Sequence, residues 1–112
     1  CNDAACSDEN ETITTVDDPV HYVGLFTSIA IGADGLPVIS YFDEAGALKV
    51  AKCNDAACSG GNETITTVDN PANLVGLYTS IAIGTDGLPV ISYYDANAEA
   101  LKVTKCFKPA CN

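Results

Sequence analysis

Residues 27–43 read TSIAIGADGLPVISYFD, and residues 79–95 read TSIAIGTDGLPVISYYD. Each stretch holds two short apolar runs around a Gly-x-Asp-Gly turn. Val, Ile, Thr and Tyr suit a pleated surface, and Asp-Gly suits a turn with positive φ at the glycine. Pro37 opens the second run, where a strand needs no ladder donor. The runs are apolar or small on both faces: Ile29, Ala30 and Ile31, then Val38, Ile39 and Tyr41. Strands covered on both sides read this way.

Outward from this pair, residues 1–43 align with 53–95 without a gap and differ at nine positions. One residue is inserted in the second copy between Asp95 and Leu101. The chain therefore divides into repeat 1 (1–52), repeat 2 (53–105) and the opening of a third Cys loop (106–112). Each repeat predicts four strands, in the first copy 11–17 (ETITTVD), 27–31, 37–42 and 47–52 (ALKVAK). No helical period runs over ten or more residues. The expected class is all-β, with one four-stranded antiparallel sheet per repeat, wetter at its Thr-rich outer strand.

The six cysteines fall in three C-x4-C pairs: Cys1/Cys6, Cys53/Cys58 and Cys106/Cys111. An even count at fixed spacing predicts disulfides and an oxidising compartment. Zinc is the rival reading, but its pairs are usually C-x2-4-C and converge with His, and the chain's single His is His21. The net charge is −10 over 112 residues, and all five cations are Lys. This excludes the basic footprint of a nucleic-acid surface and basic docking on anionic membranes. A hydrophobic fraction of 47% is too high for an acidic disordered tail, and no apolar run is long enough for membrane insertion. With no Met anywhere, the chain is expected to be a processed product or an excised segment.

The string from Thr79 to Asp95, followed by Leu101-Lys102-Val103, resembles the blade repeats of secreted bacterial β-propellers. Those repeats are distantly similar to the Asp-box repeats of sialidase-like folds. The chain departs from an Asp-box in its adjacent Asp86-Gly87 and in lacking the closing aromatic. The resemblance implies a propeller fold in which the chain supplies two tandem blades. Two blades do not close a propeller, which takes roughly 4–8. The missing blades are expected from further copies or from more blades of one chain. The first ETITTVD strand of one chain is expected to complete the last blade of another, a head-to-tail contact that closes as a ring or runs on as a filament.

The leading functional expectation is a secreted, non-catalytic protein that assembles with copies of itself into an extracellular structural or adhesive filament, layer or ring. The alternative is a carbohydrate-binding lectin forming a closed oligomeric propeller. Its candidate ligand contacts are Tyr41, Asp43, Tyr93 and Asp95, with Phe26 and Tyr78 at a further equivalent place. Sialidase-like catalysis needs Arg for a substrate carboxylate, and a nucleophilic triad needs a base. His21 sits beside Asp17-Asp18-Pro19 and becomes Asn73 in the second copy, so no catalytic residue is assigned. No cofactor is expected either. Calcium alone has hard oxygen donors on offer, at Asp8-Glu9-Asn10-Glu11 and Asp17-Asp18. The second copy puts Gly60 and Gly61 in place of Asp8 and Glu9, which favours a solvating role. Asn10 and Asn62 each begin an N-x-T sequon and are candidate glycosylation sites.

Overall fold

The computed structural model describes residues 3–6, 11–72 and 74–112. These are all-β, with no helix among them. Seven strands form two antiparallel sheets. The first contains β1 (Val23–Ile31), β2 (Pro37–Asp43), β3 (Ala47–Lys52) and β4 (Thr64–Asp69), in that spatial order. The second contains β5 (Val75–Ile83), β6 (Pro89–Asp95) and β7 (Ala100–Lys105).

The turns follow from their residues. Gly35, at φ 80°, closes the β1–β2 hairpin by donating to the Gly32 carbonyl at 2.9 Å. The Asp34 carboxylate accepts from the Leu36 N–H at 3.0 Å. Asp86 and Gly87 repeat the arrangement between β5 and β6. In the β2–β3 turn Asp43 accepts from the Ala45 N–H at 2.8 Å. β1 begins four residues earlier than the apolar run predicts. Register shifts lie between Val23 and Leu25 and between Leu25 and Ser28. Gly24 and Phe26 there adopt positive φ, so the strand continues through an irregularity that a period-two reading cannot follow.

The sheet boundaries differ from the repeat boundaries. The fourth strand of the first sheet is ETITTVD of repeat 2, paired so that Val50 faces Thr66 and Ala51 faces Ile65. The first copy of this string, residues 11–17, was expected to be a strand and belongs to no sheet. The two strings are identical. The difference lies in the neighbour, because β3 runs beside the second copy and no strand of the described residues runs beside the first. The second sheet accordingly has three strands and lacks the outer ETITTVD strand, the position that the head-to-tail expectation leaves for another copy.

Alternation along β2 and β3 sends Val38, Ser40, Phe42, Leu48 and Val50 toward the second sheet, and Ile39, Tyr41 and Lys49 the other way. The core lies between the sheets, where Val38, Leu48 and Val50 meet Val75, Ile81, Ile91 and Tyr93. Polar pegs fix the alignment. Ser40 Oγ donates to Thr79 Oγ1 at 2.8 Å, and Thr79 Oγ1 donates to the Phe26 carbonyl at 2.8 Å. The Ile81 N–H donates to Ser28 Oγ at 3.2 Å, and the Val75 N–H to the Gly46 carbonyl at 3.1 Å.

Disulfides join Cys53 to Cys58 and Cys106 to Cys111, as the spacing predicts. They fit an oxidising environment. The third expected pair, Cys1/Cys6, has one member, Cys1, outside the described residues. The local backbone at Cys6 nevertheless repeats that of the bridged loops. Cys6 has φ 52°, as does Cys58, and its N–H donates to the Asp3 carbonyl at 3.4 Å, as that of Cys58 does to Asp55 at 3.3 Å. The surroundings are what differ. Cys6 is exposed, whereas Cys58 is buried. The second and third loops leave β3 and β7, and the Cys53 and Cys106 N–H groups donate to the carbonyls of Pro37 and Pro89 in the neighbouring strands. The loop of Cys6 leaves no strand of the described residues.

Candidate functional site

Two polar clusters occupy corresponding places on the two sheets. In the first, the Tyr41 hydroxyl donates to Asp17 Oδ2 at 2.7 Å. Lys49 Nζ lies 3.1 Å from the same oxygen and 3.3 Å from Asp43 Oδ2. His21 Nε2 stands 2.8 Å from Asp43 Oδ1. In the second, the Tyr93 hydroxyl donates to Asp69 Oδ2 at 2.6 Å. Lys102 Nζ lies 2.9 Å from Asp95 Oδ2 and 3.4 Å from Asp69 Oδ2. Each cluster is built by neighbouring strands whose facing residues alternate to one side: Tyr41 pairs with Lys49, and Tyr93 with Lys102.

The structure thus places the four residues named as ligand contacts in two clusters, Tyr41 with Asp43 and Tyr93 with Asp95, both within the protein. Tyr41, Asp43, Tyr93 and Asp95 are buried, and their oxygens meet the chain's own groups. Sequence reading missed Asp17, Asp69, Lys49 and Lys102 as their partners. The signal was present, since Asp17 precedes Tyr41 by the same interval as Asp69 precedes Tyr93. Asp8, Glu9 and Asn10 lie outside the described residues, and the Asp17 carboxylate is engaged by Tyr41 and Lys49. Asn62 is exposed ahead of β4, with its carbonyl accepting from the Asn54 side chain. Phe26 and Tyr78 touch each other, ring centroids 4.4 Å apart.

The electrostatics give a pH prediction. Burial pushes the Asp43 carboxyl up, but the Ala45 N–H, His21 and Lys49 outweigh it and hold Asp43 below the usual carboxylate range. The Ala98 N–H first, then Lys102, hold Asp95 down. Burial first, then a bond to a carboxylate, pushes the Tyr41 and Tyr93 phenols up. A depressed carboxylate contributes stability above its unfolded pKa, about 3.9 for Asp, and loses it as pH falls through the folded value. A raised phenol contributes stability below its unfolded pKa, about 10, and loses it as pH rises toward the folded value. The urea midpoint is therefore expected to be flat between these limits and to fall on both sides. Asp95→Asn lowers the plateau and flattens the acid limb. An acid limb unchanged in that variant would rule out this origin.

The surfaces around the clusters carry a further pattern. Toward the second sheet, Leu48 and Val50 are each 0% exposed, whereas their counterparts Leu101 and Val103, on the outward face of the second sheet, are 77% and 63% exposed. Ile81, against the first sheet, is 7% exposed, whereas its counterpart Ile29, on the outward face of the first sheet, is 62% exposed. Gly76 and Gly24 follow the same rule. A Cβ on Gly76 would meet Leu48 Cα at 2.7 Å, whereas one on Gly24 would meet nothing within 4 Å. Thr79 is buried and Thr27 exposed. The outward face of each sheet is thus chemically the same as one half of the buried joint. Compared with protein-family models, curated proteins and solved structures, the chain matches none.

Proposed function

We propose that this is a secreted, non-enzymatic protein that associates head to tail with copies of itself into an extracellular structural or adhesive assembly. Each sheet is read as a propeller-type blade, and the joint between the two sheets as the contact that recurs between chains. One observation carries the reading: the residues buried in the internal joint have exposed counterparts on two outward faces of complementary kind. The outward face of the second sheet presents Leu101 and Val103, as the first sheet presents Leu48 and Val50. The outward face of the first sheet presents Ile29 and Gly24, as the second presents Ile81 and Gly76.

The energetics favour closure of these faces. A large aliphatic side chain moved from water into a packed contact contributes about 1.5–3 kcal/mol. Four such residues, Ile29, Ile31, Leu101 and Val103, stand more than half exposed on the two faces. Because each face fits the other and not itself, the contact is heterologous, so repetition gives a ring or an open polymer. The disulfides support export. The carbohydrate-binding alternative draws no support from Tyr41 and Tyr93, whose rings are covered.

The test is electron microscopy of native material, with light scattering of the soluble fraction over a dilution series. Closed particles of a few chains, or long polymers, are expected. A folded monomer at every concentration would refute the proposal.

A further inference from the structure

We infer that residues 11–17 of a second copy add to the free edge of β7 as the fourth strand of the second sheet. This rests on the self-association proposed above, and names the segment and the register that form the joint.

The first sheet supplies the template. Its β3, ALKVAK, is bordered by β4, and β4 with its preceding Glu63 is the string ETITTVD. The counterpart of β3 is β7, ALKVTK, which ends the second sheet among the described residues. A strand edge of this kind presents unpaired N–H and C=O groups to any strand of matching pattern. Residues 11–17 have that pattern, identical to 63–69, and belong to no sheet. Ile13 is 94% exposed, whereas its counterpart Ile65 is partly covered within β4.

The chain's own residues 11–17 are directed elsewhere. Asp17 is fastened to Tyr41 and Lys49 on the face of the first sheet that points away from the second. The second copy of the string shows what this fastening does. β4 belongs to the first sheet, while Asp69 at its end reaches across the joint to Tyr93 and Lys102. By the same geometry residues 11–17 join the sheet ahead, and Asp17 stays with its own. That sheet ahead is the second sheet of another copy. Carrying the β3–β4 register over places Leu101 opposite Asp17, Lys102 opposite Thr15, Val103 opposite Thr14, Thr104 opposite Ile13 and Lys105 opposite Thr12.

The experiment mixes two full-length variants, Thr14→Cys and Val103→Cys, and treats the mixture with a short bismaleimide while light scattering follows association. Expected is a cross-linked pair of chains in the mixture, absent from either variant alone. Association without this cross-link would overturn strand addition and leave face-to-face stacking standing. Absence of association would overturn both. A second variant guards against disulfide scrambling. Thr14→Pro/Thr15→Pro puts proline at two adjacent positions, one of which must aim its N–H at the partner. Because residues 11–17 are in no sheet of the single chain, its unfolding midpoint in dilute solution is expected to stay unchanged while association falls at least tenfold. Undiminished association of this variant would overturn the inference.

Discussion

Gly76→Ala is expected to destabilise the fold by roughly 3 kcal/mol, whereas Gly24→Ala, at the corresponding position, costs the isolated chain only about 1 kcal/mol. Both glycines have positive φ, 88° and 82°. A side chain in that region costs about 1–2 kcal/mol, so this part of the penalty is common to both. The difference is in the surroundings. The added methyl at Gly76 would lie 2.7 Å from Leu48 Cα and 2.9 Å from its N and Cβ. Two of these are backbone atoms of a strand paired on both sides, so relief requires separating the sheets. Overpacking of this kind adds about 1–3 kcal/mol. At Gly24 nothing stands within 4 Å, and in the isolated chain only the backbone strain is felt. In the proposed assembly, Leu101 of another copy would take the place over Gly24 that Leu48 holds over Gly76. Gly24→Ala is therefore expected to suppress association while leaving a folded chain. Urea denaturation at low concentration measures the first effect, and light scattering the second. Equal losses of fold stability in the two variants would show that the internal joint and the outward faces are unrelated.

How much of this was legible in the sequence depends on what each feature needs. The strands around Asp34-Gly35 and Asp86-Gly87 could be read because their signals are local: β-branched runs, a turn that needs glycine, and proline at a strand start. The Cys53/Cys58 and Cys106/Cys111 bridges were legible for the same reason. At Cys6 the local turn was legible but its setting was not: Cys6 is exposed where its counterpart Cys58 is buried, because burial comes from the strands around the loop and not from the C-x4-C spacing. Residues 11–17 were misjudged because a strand is not a local object. The string ETITTVD pairs at 64–69 and not at 11–17 with no change in its residues. The start of β1 was missed because the register shifts around Gly24 and Phe26 break the alternation that sequence reading follows. The tyrosines and aspartates chosen as ligand contacts fall in two equivalent clusters, where their oxygens meet the chain's own groups. Recurrence marked them, but partners 24 residues away, Asp17 for Tyr41 and Asp69 for Tyr93, become visible only once the sheets are stacked.

Leu48→Ala and Leu101→Ala separate folding from association most directly. The two leucines stand at equivalent positions in β3 and β7, opposite Phe42 and Tyr94 respectively. Leu48 is fully buried within the core cluster. Truncating a buried leucine costs about 2–5 kcal/mol, from lost transfer free energy and from the cavity left behind. A loss of roughly 3 kcal/mol is expected, since Gly76 and paired strands on both sides prevent the site from collapsing. Leu101 is 77% exposed, and its truncation is expected to leave the fold of the single chain within about 0.5 kcal/mol, as for other surface changes. If Leu101 fills another copy's joint as Leu48 fills the internal one, the lost contact appears instead in the association constant. At about 3 kcal/mol this is a roughly hundredfold weakening. The pair of measurements is an unfolding midpoint in dilute solution and a dissociation constant from sedimentation or scattering. Unaltered association of Leu101→Ala would remove the outward face of the second sheet from the joint. A midpoint for Leu101→Ala as low as that for Leu48→Ala would mean that this face already serves the fold of the single chain.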